Sequence, residues 1–274
     1  MNRRTSIAIV VTVFAVLIST AADAAPVSVR FPEGRAHGHL LLRSTAGEAI
    51  GSGEVTQVVK EANVVESRLV FNFKDGSLHD ETVAFSQQRV FKMIRYRLIQ
   101  RGPSFPEQID ASIDQRSGEY KVRYQAPKAD KEEVVTGRLD LPDDAYNGMF
   151  VVLLKNLLQG TNETVTILAF TPAPQAIKLQ LLFVDDQTVR IGESPTKARH
   201  YVLRPQMGKI QEFVGKFSGK LPADVHLECW MLASKVPSFL QLEGPLQLMG
   251  PVVRIELVSP PLPARPENKR SAVN

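Results

Sequence analysis

The feature that most constrains the fold is residues 64–102, a stretch that contains no proline and is rich in Val, Ile, Phe and Tyr. One strong turn at Asp75-Gly76 divides it, because Asp-Gly tolerates the positive φ angles of a tight hairpin. Within residues 64–73, apolar and polar side chains alternate, which is typical of a strand with one wet face. The stretch therefore predicts three long antiparallel strands.

Similar patterns predict strands before and after this stretch, and two helices. The segment 146–158 is apolar on every side at its centre, so it predicts a covered helix that begins after the carboxylates Asp143 and Asp144. Residues 209–218 predict an amphipathic helix. Gly51-Ser52-Gly53 predicts a bulge or a close backbone approach, and Asp185-Asp186 a turn. The predicted fold class is mainly β (α+β), with a long antiparallel curved sheet or half-barrel that carries one buried apolar helix and one amphipathic helix on its concave face.

The first 24 residues predict a cleaved signal peptide, with a basic head, an apolar run at 7–18 and small residues at 22–24. Twelve helical residues rise about 18 Å, too short for a bilayer core of about 30 Å. We therefore expect a periplasmic protein in which 25–259 form a single β-rich domain, while the proline-rich residues 260–274 form a disordered tail. The net charge of +4 gives no support for nucleic-acid binding.

Three segments carry a resemblance to known proteins: FNFKDGSLHDETVAFSQQ, LIQRGPSFP and VRIELVSP. They resemble a family of exported bacterial proteins of unknown function, over nearly the whole mature chain. More loosely, the long meander with an apolar helix is similar to the bacterial lipoprotein-carrier superfamily. That second likeness implies a strongly curved half-barrel sheet, lidded by helices, that holds acyl chains. It transfers no ligand-binding residues.

The first functional hypothesis is a non-enzymatic protein that binds a lipid-like amphiphile, or docks on an envelope partner, with its concave face. The odd-numbered face of residues 89–101 carries four arginines together with Phe91, Met93 and Ile99, so the arginines could pair with an anionic head group while the apolar side chains hold a lipid tail. A solvated outer face is the alternative for these arginines. The candidate ligand-binding residues are Arg95, Arg97, Phe91, Met93, Phe150, Leu153, Leu154, Phe213, Phe217 and Trp230.

Two other classes remain open. His79-Asp80-Glu81 is the densest titratable cluster, so an envelope hydrolase that uses it is the second hypothesis. A structural or assembly protein of the envelope is the third. His37 and His39 would face the same side of a strand, but the sequence shows no third metal ligand nearby. Cys229 alternates with apolar residues and predicts a buried, inert thiol. The sequence predicts no cofactor, no metal and no membrane span after signal cleavage.

Overall fold

The computed structural model describes residues 26–61, 63–127, 129, 131–191, 194–206, 225–247 and 250–258. Within these residues the chain forms fourteen strands and one α-helix, which confirms the mainly β prediction. The strands of the first half are β1 (Ala36–Ser44), β2 (Ala49–Glu61), β3 (Val64–Phe73), β4 (Leu78–Gln87), β5 (Phe91–Arg101), β6 (Gln108–Asp114), β7 (Glu119–Gln125) and β8 (Glu133–Arg138). The second half contains α1 (Phe150–Asn156), β9 (Glu163–Thr171), β10 (Ala173–Ile191), β11 (Ser194–Pro205), β12 (Leu227–Leu232), β13 (Phe239–Pro245) and β14 (Val252–Val258).

All fourteen strands belong to one antiparallel sheet, in the order β8-β7-β6-β5-β4-β3-β2-β1-β14-β13-β12-β11-β10-β9. Each half of the chain is a meander in which consecutive strands pair. The two meanders meet where β14 pairs with β1, with His39 opposite Val258. The sheet does not close, since β8 and β9 form its two edges.

The sheet is strongly curved, because its two ends share one hydrophobic core with α1. Tyr96 of β5 and Phe170 of β9 stack with ring centroids 5.9 Å apart, although nine strands separate β5 from β9 in the sheet. The core also contains Leu153 of α1 and Leu181 of β10, both fully buried. One face of the sheet, the inner face, therefore wraps around the helix, as the sequence predicted.

The helix is shorter than predicted. Residues 144–147 run alongside the edge strand β9 instead of starting a helix, and the Tyr146 N–H donates to the Thr166 carbonyl at 2.9 Å. Asp144 is buried and accepts hydrogen bonds from the Thr166 hydroxyl and the Lys178 ammonium, so it does not begin the helix. Gly148 has a φ of 71°, which also ends this extended segment. The predicted helix at 209–218, the signal peptide and the tail lie outside the described residues.

Of the two predicted strand irregularities, the close backbone approach at residues 51–53 is confirmed, whereas the turn at Asp185-Asp186 is wrong. β2 runs without interruption through residues 51–53. The glycines there do allow a close approach, because a Cβ at Gly53 would overlap the Phe71 ring of β3 and lie 2.5 Å from the Val70 carbonyl oxygen. The predicted turn at Asp185-Asp186 lies inside the 19-residue strand β10, where a register shift after Phe183 marks an irregularity in the ladder.

The buried side-chain amide of Asn156 helps to fasten the segment before β1 to α1, beside the Lys155–Glu33 ion pair and the hydrogen bond from Arg30 to the Leu157 carbonyl. The Asn156 Oδ1 accepts the backbone N–H groups of Arg30 at 2.8 Å and Phe31 at 2.7 Å, and its Nδ2 donates to the Val152 carbonyl at 2.8 Å. Asn156 also lies in the last turn of the helix. One side chain thus satisfies three backbone groups.

We expect Asn156→Ala to lower the free energy of unfolding by about 2 kcal/mol, because it leaves two N–H donors without their acceptor. Urea denaturation of both proteins measures this loss. Asn72→Ala is the matched control, since Asn72 is an exposed asparagine of β3. Equal stability of Asn156→Ala and the control would contradict the fastening role of this amide.

Candidate functional site

One cross-strand row of the inner face is more exposed than its surroundings. In this row Val55 of β2 lies opposite Leu69 of β3, Leu69 opposite Glu81 of β4, and Glu81 opposite Leu98 of β5. All four residues are partly exposed, although the packing around Glu81 desolvates its carboxyl group, whereas the next residue of the row, Ala111, is fully buried. We call Val55, Leu69, Glu81 and Leu98 the Glu81 strip. It is apolar except for one carboxyl group.

The strip lies between two covered parts of the inner face. On one side, Val83 and Tyr96 pack under the segment before α1, where a Cβ at Gly148 would lie 3.2 Å from Val83 Cγ1 and 3.3 Å from Tyr96 Cε2. On the other side, Gln100 donates from Nε2 to the Leu246 carbonyl at 2.9 Å, so the β13–β14 connection covers that row. Leu98 packs against the main core, while Val55 and Leu69 pack against a smaller cluster centred on β1 and β14.

Glu81 has one hydrogen-bond partner within the described residues, and that partner is a donor. The Tyr96 hydroxyl donates to Glu81 Oε1 at 2.6 Å. Burial raises the pKa of the Glu81 carboxyl, and the Tyr96 hydrogen bond lowers it in part. Burial and the neighbouring Glu81 raise the pKa of Tyr96 well above its ordinary value, so this phenol stays protonated. The nearby arginines Arg68 and Arg95 pair with Asp80 and Glu66 instead, and no lysine or arginine among the described residues forms an ion pair with Glu81.

His79 lies two residues before Glu81 on the same face of β4, but deeper. It is buried between Phe71 and Phe105, with ring centroids 5.7 Å and 6.3 Å away. Gln100 Nε2 lies 3.0 Å from His79 Nδ1, and His79 Nε2 has no hydrogen-bond partner in the described part of the chain. Burial lowers the pKa of His79 to about 4, so the imidazole is neutral at physiological pH.

The arginines and the apolar residues of β5 that were predicted to share one face lie on opposite faces of the sheet. The β4–β5 ladder shifts register between Ala84 and Phe85, so the alternation of β5 changes phase at Ile94. Phe91 and Met93 are buried in the main core, whereas Arg95 and Arg97 are exposed on the opposite, outer face. The predicted pairing of arginine head groups with these apolar side chains is therefore absent.

Both arginines line an outer-face concavity of about 820 Å³ across β4–β8. Arg95 donates to Glu66 at 2.9 Å, and Arg97 to Asp110 at 3.2 Å. Lysine, glutamate and aspartate side chains also line this concavity, so its charge is mixed and the arginines already have carboxylate partners.

The other predicted ligand-binding residues do not come together at one site either. Leu153 and Leu154 are fully buried in the main core, and Phe150 packs against it. Trp230 faces away from the buried Cys229 and Met231, stacks on His200 at 4.8 Å, and donates from Nε1 to Gln187 at 3.1 Å. Phe213 and Phe217 lie outside the described residues.

The three residues of the proposed hydrolase cluster, His79, Asp80 and Glu81, do not lie on the same face of the sheet. His79 and Glu81 lie on the inner face, whereas Asp80 faces outward and accepts two hydrogen bonds from Arg68, at 2.9 Å and 2.7 Å. Cys229 is fully buried, and burial raises the pKa of its thiol to about 12, so it is inert as predicted.

A group of metal-ligand type lies on the outer face of β1 and β2. His37 and His39 of β1 meet Glu54 of β2, and one donor atom from each of the three lies within 4.8 Å of the others. Glu54 could not be recognised from the sequence as a third ligand, because it lies 15 residues after His39 and comes opposite His39 only through the β1–β2 register.

The chain matches no protein-family model, no curated protein and no solved structure. The resemblance to the lipoprotein-carrier superfamily is therefore not confirmed. No helix in the described part of the chain is long and apolar enough to cross a membrane. The described residues define the class of protein: an open, curved antiparallel sheet around one helix, with a carboxyl group set in a partly exposed apolar strip.

A sequence signal for Glu81 did exist. In β4 the odd-numbered positions carry His79, Glu81, Val83 and Phe85. A carboxylate that alternates in phase with apolar side chains is expected to face the interior of a sheet. Such a residue is a stronger candidate for a site than the arginines, whose neighbours on the outer face are polar.

Proposed function

We propose that this chain is an exported, non-enzymatic protein that binds an amphiphile along the Glu81 strip. The observation that carries the proposal is the exposure of this strip between two covered parts of the inner face. Three apolar side chains there, Val55, Leu69 and Leu98, retain contact with solvent that an alkyl chain would remove. Each methylene transferred from water to such a surface contributes about 0.8 kcal/mol.

The chemistry of the strip selects the head group of the ligand. Glu81 is the polar member of the strip, and Tyr96 already donates to one of its oxygens. An ionised carboxylate accepts hydrogen bonds and repels anions. The ligand is therefore an amphiphile with an amine or hydroxyl head group. This differs from the anionic head group expected from the arginines, because those arginines lie on the other face.

Binding is tested with two fluorescent probes that share a dansyl group and a long alkyl chain, one ending in an amine and the other in a carboxylate. We expect the amine probe to bind more tightly, and Glu81→Gln to remove most of this preference while both probes still bind. Fluorescence titration of the purified protein measures the affinities. If neither probe binds, the amphiphile proposal is wrong and the docking or assembly hypothesis replaces it.

Neighbouring residues of β5 provide a matched pair of variants. Leu98 belongs to the strip, whereas Ile99 is partly exposed on the outer face, opposite Asp80 and Asp110. We expect Leu98→Asn to weaken binding of the amine probe about tenfold or more, since a buried leucine contributes about 1.5–3 kcal/mol. Ile99→Asn is expected to leave the affinity unchanged. Leu69→Asn and Val70→Asn repeat the comparison on β3. If inner-face and outer-face variants lost affinity for the amine probe equally, the Glu81 strip would not be the binding site.

A further inference from the structure

Three side chains of metal-ligand type converge on the outer face of the sheet, away from the Glu81 strip. His37 Nε2 lies 3.4 Å from Glu54 Oε2, and His39 Nδ1 lies 3.8 Å from Glu54 Oε1. The two imidazole rings are 4.7 Å apart and tilted by 58°. The carboxylate thus faces both histidines, each through one of its oxygens.

We propose that His37, His39 and Glu54 bind a zinc ion. Two imidazole nitrogens and one carboxylate oxygen are a donor set that zinc accepts in proteins. Zinc bonds of about 2.0–2.2 Å in tetrahedral geometry hold neighbouring donor atoms about 3.4 Å apart. The two histidine–glutamate distances already approach this value, and the donor atoms all lie within 4.8 Å of one another. Small side-chain rotations therefore complete the site.

The backbone pairing of β1 with β2 preorganises these three residues for metal binding. Both histidines lie in the β1–β2 ladder, and His39 is also paired on its other side with Val258 of β14. His39 is directly opposite Glu54, and His37 lies two residues before it on the same face. Because the ladder fixes all three Cα positions, metal binding orders few additional groups.

The surroundings of Glu54 leave it available to a cation. Among the described residues, its ion-pair partners are the two histidines. The side chains of His37, His39 and Glu54 are 51%, 37% and 57% exposed. A hydrated ion can therefore reach all three donor groups, and the fourth coordination position faces solvent.

The test is calorimetric titration of the chelator-treated protein, purified without a histidine tag, with zinc chloride. We expect one bound ion per chain. His37→Ala, His39→Ala and Glu54→Gln are each expected to weaken binding by more than about 10- to 100-fold, the loss that follows when even an outer-shell partner of a metal ligand is removed. A protein that binds no zinc, or variants that bind as the wild type does, would overturn the proposal.

Two controls show whether the metal lies at this place. Glu61→Gln removes another exposed carboxylate of β2, and His226→Ala removes a histidine that directly precedes β12 and lies 3.2 Å from Glu228. Both variants are expected to bind zinc as the wild type does, and a loss in either would place the ion elsewhere. Cobalt gives a second readout, since a tetrahedral site produces intense visible bands that the three ligand variants are expected to abolish.

Discussion

Acidification from pH 6.5 to about pH 4 is expected to remove about 3 kcal/mol of stability through a single residue, His79. Burial holds the pKa of this imidazole near 4 in the folded protein, against 6.5 when it is exposed. The unfolded chain therefore binds a proton in this range and the folded protein does not. Stability rises with pH through the window and is fully present above pH 6.5.

Urea denaturation across this pH range tests the expectation. His79→Gln keeps an acceptor for the Gln100 amide but does not titrate, so we expect a flatter pH dependence. His37→Gln removes an exposed histidine and is expected to keep the slope of the wild type. If His79→Gln keeps the full slope, another group causes the acid sensitivity.

Glu81 affects the pH dependence of stability in the opposite direction to His79, over part of the same pH range. Its pKa is raised on folding, so the folded protein binds a proton more readily than the unfolded chain. This carboxyl therefore lowers stability as the pH rises above 4.5. Glu81→Gln is expected to stabilise the protein at pH 7 and to steepen its loss of stability in acid, while the Tyr96 hydroxyl keeps an acceptor.

Gly53→Ala is expected to lower the free energy of unfolding by about 3 kcal/mol or more, at the upper end of the cost of overpacking. The added Cβ would overlap the fully buried Phe71 ring and lie 2.5 Å from the Val70 carbonyl oxygen. Both obstacles belong to β3, which pairs with β2 along its whole length. The ring is enclosed by the core and the carbonyl belongs to a hydrogen-bonded ladder, so displacing either one costs free energy.

Two further variants identify the cause of that loss. Gly34→Ala is the matched control, because a Cβ there has no atom within 4 Å, and we expect a change of less than about 0.5 kcal/mol. In a Phe71→Leu background, Gly53→Ala is expected to cost at least about 1 kcal/mol less than in the wild type, since the two sites are coupled. Additive effects would show that the aromatic ring is not the obstacle.

Local patterns predicted most of the strands, although they wrongly placed a turn at Asp185-Asp186 inside β10. β3 spans Val64–Phe73 as predicted, because its alternation is uninterrupted and the Asp75 side chain accepts the Ser77 N–H at 2.9 Å in the following turn. The burial of α1 was predicted correctly, because the centre of its segment is apolar on every side. Its early start was predicted wrongly, because Asp143 and Asp144 suit a helix start by composition while Asp144 is engaged by Lys178 of β10.

What sequence could not supply was register between strands. The ladder shift beside Phe85 turns Phe91 and Met93 inward and leaves Arg95 outside, a change of phase that no composition reveals. The same limit hid the approach of Glu54 to His39, since it depends on how β1 pairs with β2. For this reason the candidate ligand-binding residues chosen from one strand were split between two faces.

The junction of β1 with β14 has a consequence for how the chain reaches its native state. Strands β1 to β8 pair only with sequence neighbours until the last strand arrives, so that half can assemble early from short-range contacts. The Arg43–Glu256 ion pair across the junction joins residues 213 positions apart, and such distant pairing is slow to form. During synthesis from the N-terminus, one edge of β1 would stay without a partner strand until β14 follows, and an open edge of this kind can pair with other chains.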